Sequence, residues 1–227
     1  MESLTNTAPK CLLKVKGKTL LDWQLEAIKG AGIKEVAIVT GYKKESLSQY
    51  SLIEFNNPNW GNSQMVYSLF CAREWFSGDS CVISYSDIFY NKSAIKLLKN
   101  NNDDISITYD PNWRILWGNR FSDPLSDAES FRLNHDHTVS EIGNKVNSIN
   151  NIEGQYMGLI KISEKGWSHF KELFDSQDAI QQKSLDMTAL FKLVLKANKH
   201  KIHAYPYNQI WGEVDNKNDL NFYNKSI

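Results

Sequence analysis

Cysteine is scarce in this chain: Cys11, Cys71 and Cys81 are the only three in 227 residues. The number is odd and no pair has Cys-x-x-Cys spacing. That argues against a disulfide framework or a cysteine zinc site and fits a reducing compartment. An excess of one charge is lacking too. Lys plus Arg and Asp plus Glu each number 26, a formal net charge of zero, so no global field exists to hold nucleic acid. No apolar run approaches the roughly eighteen residues of a membrane span. Met1 is followed by neither the basic region nor the apolar core of a signal peptide. Repeats and low-complexity tracts are absent. These absences leave a neutral chain with the cytoplasm as its expected location, free of nucleic-acid and membrane partners. A homo-oligomer is compatible with all of them.

Hydropathy patterning then supplies an architecture. Leu20, Leu21, Trp23, Leu25, Ile28 and Ala31 share one helix face, with Gly30 and Gly32 at its end. Val36 to Thr40 is an apolar run stopped by Gly41 and reads as a strand buried on both faces. A short helix over 43–49, a strand over 52–55, a helix over 65–75, a strand over 81–85, a helix over 94–98 and a strand over 105–109 follow. This alternation predicts an α/β fold with a mostly parallel central sheet. The second half reads differently. Residues 113–127 are rich in turn formers and aromatics. Residues 130–133 and 139–142 pair as a hairpin around Asn134-His135-Asp136-His137, a turn rather than a metal pair. A strand over 156–162, helices over 167–174 and 187–197, a strand over 202–205 and a closing helix over 219–223 complete the chain. Its length suits a single domain over 1–227 with an insertion at about 110–160.

Few residues stand out chemically. Asp87 directly follows an apolar strand, and ligands of open α/β sheets bind beyond the carboxyl ends of strands. A carboxylate there suits Mg²⁺, and it equally suits a helix cap. In Trp211-Gly212-Glu213-Val214-Asp215-Asn216, Glu213 and Asp215 share a face if the segment is extended. No Gly-x-Ser-x-Gly string or Cys/His nucleophile arrangement supports covalent catalysis.

Several segments resemble nucleotidyltransferases of the phosphocholine cytidylyltransferase type. They are Pro9-Lys10 with the helix that follows, Asn59-Trp60 with Ser63-Gln64-Met65-Val66-Tyr67-Ser68-Leu69, Tyr109-Asp110-Pro111-Asn112-Trp113, Arg120-Phe121-x-Asp123-Pro124-Leu125, Glu153 to Leu159, Asp186-Met187-Thr188 and Trp211 to Leu220. The resemblance runs from Leu4 to Tyr223 and implies a Rossmann-like nucleotidyltransferase fold. It implies that Asp87 and Asp215 hold a catalytic Mg²⁺ and that Lys10 neutralises charge on the leaving pyrophosphate. It assigns nucleotide contacts to Lys10, Gly41, Ser63, Gln64, Ser68 and Ser86, where Ser63 and Gln64 replace the usual Thr and Asn. Acceptor contacts fall to Tyr85, Trp113, Trp117, Tyr156, Trp211 and Glu213. These aromatics suit a cage for a cationic head, and they equally suit filling a core.

The implied partners are CTP and a small phosphorylated or phosphonylated amine: phosphocholine, aminoethylphosphonate or a phosphoglutamine-like acceptor. Products of this kind decorate surface polysaccharides. A hexose-1-phosphate nucleotidyltransferase and a non-catalytic nucleotide-binding remnant are the alternatives. The second arises because only nine residues precede Lys10, without the Gly-x-Gly-x-x-Arg string of the resemblance. On that basis the chain from Met1 is expected to be marginally stable and to bind CTP weakly until upstream residues are restored.

Overall fold

A computed structural model of the chain describes residues 5, 6 and 8–226; Met1–Leu4, where the resemblance begins, lie outside them. In chain order the strands are β1 (Lys14–Val15), β2 (Lys18–Thr19), β3 (Ala37–Thr40), β4 (Ile53–Asn56), β5 (Cys81–Ser84), β6 (Ile88–Tyr90), β7 (Ile105–Asp110), β8 (Glu129–Leu133), β9 (Val139–Lys145), β10 (Gln155–Ile162), β11 (Ile202–Pro206) and β12 (Trp211–Glu213). The α-helices are α1 (Leu20–Gly30), α2 (Met65–Cys71), α3 (Lys92–Lys99), α4 (Trp113–Arg120), α5 (Glu164–Asp175), α6 (Ala179–Ser184), α7 (Met187–Ala197) and α8 (Lys217–Ser226).

The central sheet has the order β11-β7-β10-β5. β11 runs parallel to β7, while β10 lies antiparallel to both β7 and β5. Alternation along these strands splits the core in two. Ile105, Ile107, Ile160 and Ile162 point to one face, against Phe170 of α5 and Leu190, Phe191 and Val194 of α7. Met157 and Leu159 point to the other, against Ala94, Ile95 and Leu98 of α3. Each such side chain contributes about 1.5–3 kcal/mol by leaving water. A capping box opens α1: the Thr19 hydroxyl accepts from Asp22 N at 3.0 Å, and the Asp22 carboxylate accepts from Thr19 N at 3.3 Å.

Three local expectations are corrected. The run ending in β3 is half-buried at Ala37, Ile38 and Val39, not buried on both faces. Among the described residues β3 pairs with β4 alone, and β5 pairs with β10 alone. Both border a cavity of about 980 Å³ that keeps the apolar side chains of β3 from full coverage. The stretch after Asn112, read as turns, holds α4, because Trp113, Trp117 and Arg120 recur at helical spacing and are all buried. The helix expected over 43–49 is a 3₁₀ helix at Lys44–Tyr50, bracketed by left-handed Lys43 and Ser51. The β8–β9 hairpin forms as read, with His137 at φ +59° in its turn.

Candidate active site

The site is assembled by two short strands outside the central sheet, β6 and β12. β6 is three residues long and buried throughout. It pairs antiparallel with β12, placing Ile88 opposite Glu213 and Tyr90 opposite Trp211. One further backbone bond, Val214 N to Asp87 O at 2.9 Å, extends the pairing. That bond draws together the residue before β6 and the segment after β12. A Cβ on Gly212 would stand 2.4 Å from the Tyr223 ring, so only glycine lets the strands seat this closely against α8.

Asp87, Glu213 and Asp215 thereby bring carboxylate oxygens within 4.8 Å of one another. Lys10 reaches in from the 3₁₀ turn Lys10–Leu12, its Nζ 2.8 Å from Asp87 Oδ2 and 2.8 Å from Asp215 Oδ1. Burial works against the charged ammonium, but Asp87 and Asp215 outweigh it and hold the Lys10 pKa above the ordinary lysine value. Burial first, then the charges of Asp215 and Asp87, push the Glu213 carboxyl well above the usual range. Asp87 Oδ1 is buried and has no hydrogen-bond partner among the described residues. An orphaned carboxylate oxygen beside two more carboxylates fits a small hard cation such as Mg²⁺, which takes one or two carboxylates plus phosphate oxygens. Asp87, Asp215 and Glu213 are the residues that would hold it.

A second cavity of about 280 Å³ opens from Asp215 and Glu213. Asp127, Glu129, Asp186, Tyr85, Trp117 and Tyr156 also line it, and no Lys, Arg or His does. The rings of Tyr85 and Tyr156 meet edge to face at 5.7 Å. Trp117 Nε1 donates to Asp127 at 3.0 Å. Burial, then the charge of Asp186, raises the Glu129 pKa. Asp127, Glu129 and Asp186 keep solvent-exposed surface and turn like charges toward one cavity, which a bound cation would relieve.

Residues 3–131 match the family described as MobA-like NTP transferase domain. The chain belongs to that family. The chain is also 33% identical over 234 residues to CTP:phosphoglutamine cytidylyltransferase of Campylobacter jejuni, covering 96% of this chain and 91% of that protein. It is 26% identical over 95 residues to choline-phosphate cytidylyltransferase of Streptococcus pneumoniae, covering 40% of this chain and 42% of that one. Among solved structures, the inositol-1-phosphate CTP transferase of T. maritima superposes with a TM-score of 0.77 at 15% identity, over 98% of this chain and 88% of that one. The Rossmann-like nucleotidyltransferase fold implied by the sequence is therefore the fold of this protein.

The residues singled out from sequence separate into groups. Lys10, Asp87, Glu213 and Asp215 converge, and Tyr85, Trp117 and Tyr156 line the 280 Å³ cavity. Ser68, Tyr85, Ser86 and Asp87 line the larger one. Trp113 and Trp211, expected among the acceptor contacts, line neither cavity; both are buried in the core that covers the sheet. Trp211 Nε1 is moreover committed to Asp110 Oδ2 at 3.0 Å. Gly41, Ser63 and Gln64 line neither cavity. Trp60 covers Gly41, the Ser63 hydroxyl donates to Asn59 O, and Gln64 N donates to Lys183 O.

Sequence reasoning missed Glu129 as a wall residue; Asp127 entered it only as the end of an acidic and aromatic stretch, and Asp186 only within a segment of the resemblance. It also read Arg120 as part of an acceptor loop, whereas its side chain lies buried against Glu213, Asp215 and Asp219. The one available signal was Asp219, four residues after Asp215 in the closing string.

Proposed function

We propose that this protein is a cytidylyltransferase that moves CMP from CTP to a small phosphorylated or phosphonylated acceptor bearing an ammonium group, with release of pyrophosphate. The acceptor's phosphate oxygen forms a bond to the α-phosphorus in line as the bond to pyrophosphate breaks, without a covalent enzyme intermediate. A Mg²⁺ held by Asp87 and Asp215 would supply charge neutralisation around the α-phosphate. Lys10 brings a fixed positive charge to the phosphates. Tyr85, Tyr156 and Trp117 present rings to the acceptor's head, where cation–π contacts contribute about 0.5–2 kcal/mol each. Asp127, Glu129 and Asp186 present the acceptor charge that an ammonium needs.

The observation that carries the reading is the cavity wall of carboxylates and aromatic rings, with no basic side chain, opening directly from Asp215. Phosphoglutamine-like acceptors, phosphocholine and aminoethylphosphonate all have the matching charge. The nucleotide supply puts the reaction in the cytoplasm, and the product class suits decoration of surface polysaccharides. The test is pyrophosphate release with CTP and Mg²⁺ across those three acceptors and glucose-1-phosphate. An ammonium-bearing acceptor is expected to be turned over at least ~10-fold more efficiently; preference for the hexose phosphate would overturn the reading.

A further inference from the structure

Arg120, at the end of α4, has a side chain with no exposed surface. Three carboxylates divide its donors. Nε donates to Asp219 Oδ1 at 3.0 Å, Nη2 to Asp215 Oδ2 at 2.8 Å and Asp219 Oδ2 at 3.3 Å, and Nη1 to Glu213 Oε2 at 3.3 Å. The rings of Trp117 and Phe121 lie against the guanidinium, 5.2 and 5.0 Å from Cζ to the ring centres. A planar fork held along its rim and against its face has one orientation.

Asp219 works to the same end. Its carboxylate is fully buried. Besides Arg120 it accepts from Asp215 N at 2.8 Å and Asn216 N at 3.1 Å, so it ties the guanidinium to the backbone that carries Asp215. Asp215 is consequently gripped at both oxygens, Oδ1 by Lys10 and Oδ2 by Arg120.

We propose that Arg120, oriented by Asp219, is a positioning residue that sets the side chains of Asp215 and Glu213 in place for a divalent cation. The inference rests on the cation-assisted reading of the site. Two accounts of Arg120 predict opposite signs. If the residue only balances charge, its positive charge opposes an incoming cation, so a change that loosens it leaves affinity unchanged or higher. If it sets geometry, affinity falls even when the charge is kept. Lysine keeps the charge but has no fork to span Asp219 and Asp215 together.

The experiment titrates Mn²⁺ alone, followed by electron paramagnetic resonance, into the full-length wild type, Arg120→Lys and the double variant Arg120→Gln/Asp219→Asn. Both variants conserve net charge, and melting curves accompany each. The expected result is Mn²⁺ affinity at least ~10-fold below wild type, about 1.4 kcal/mol, in a variant that still melts cooperatively. Affinity equal to or above wild type in a folded variant overturns the proposal while leaving the cation reading intact. Loss of cooperative melting in both variants overturns it in favour of a purely structural pair. A wild type that takes up no Mn²⁺ overturns both the cation reading and this one.

Discussion

The ammonium of Lys10 sits 2.8 Å from Asp87 and 2.8 Å from Asp215, joining carboxylates that lie 77 and 205 residues away along the chain. Removing one of the two should disable chemistry more than folding. Asp87→Asn keeps the shape of the side chain and relieves like-charge repulsion with Glu213 and Asp215. Turnover is expected to fall at least about a hundred-fold, with a melting temperature close to wild type. Pyrophosphate release and a thermal melt on the same sample decide the matter; near-normal turnover would refute the assignment.

Glu129 lines the 280 Å³ cavity beside Asp186. Glu129→Gln removes a charge-assisted contact worth about 1.5–3 kcal/mol. An ammonium-bearing acceptor should then show KM raised roughly 10- to 100-fold, while KM for CTP stays put. Steady-state kinetics with each substrate varied in turn supply the check, and a change confined to CTP would count against the cavity's role.

Gly158 has φ +78°, and a Cβ there would stand 2.8 Å from Tyr85 Cγ. The pairing of β10 with β7 shifts register between Tyr156 and Ile160, around this glycine. Gly158→Ala forces both a strained backbone and displacement of Tyr85. A loss of about 1–3 kcal/mol in stability, with weakened acceptor affinity, is expected from denaturant melts and kinetics. An unperturbed variant would show that Tyr85 has room to move.

His169 is 3% exposed, and neither ring nitrogen has a hydrogen-bond partner among the described residues. Its Nδ1 lies 3.6 Å from Glu172, which Lys199 also binds, and its ring lies 4.9 Å from that of His200. Burial, then the His200 charge, holds its pKa below the ordinary 6.5. The unfolded chain therefore binds the proton first as pH falls. Stability from the neutral ring is present above about pH 6.5 and erodes below it. His169→Phe should flatten the decline in melting temperature between about pH 6.5 and 5 and add about 1 kcal/mol by removing an unpaired buried polar group. Parallel pH profiles for the two proteins would contradict this.

Legibility followed the range of the signal. β7, β10, α5 and α7 announce themselves because their apolar periodicity is local and their faces are covered by single layers. Asp87 was legible at a strand end, and Glu213 with Asp215 in an alternating segment; the joining of Asp87 to Asp215 came from the family resemblance. β6 was not legible, since three buried residues carry no period. Arg120 stayed hidden because its partners are 93 to 99 positions away, and a buried arginine looks in sequence like an exposed one. Trp113 and Trp211 lie in the core that covers the sheet and line neither cavity, because aromatic residues beside a site fill a core as readily as they line a wall.

The separation of β3–β4 from the central sheet bears on how the molecule comes apart. Within the described residues no backbone hydrogen bond crosses from that pair to β5, so the two sheets communicate only through side chains and intervening helices. Opening of one does not oblige the other to open. Amide exchange should thus divide into a slow unit centred on β7 and β10 and a faster one holding Ala37–Thr40 and Ile53–Asn56. A single unfolding free energy would then describe neither.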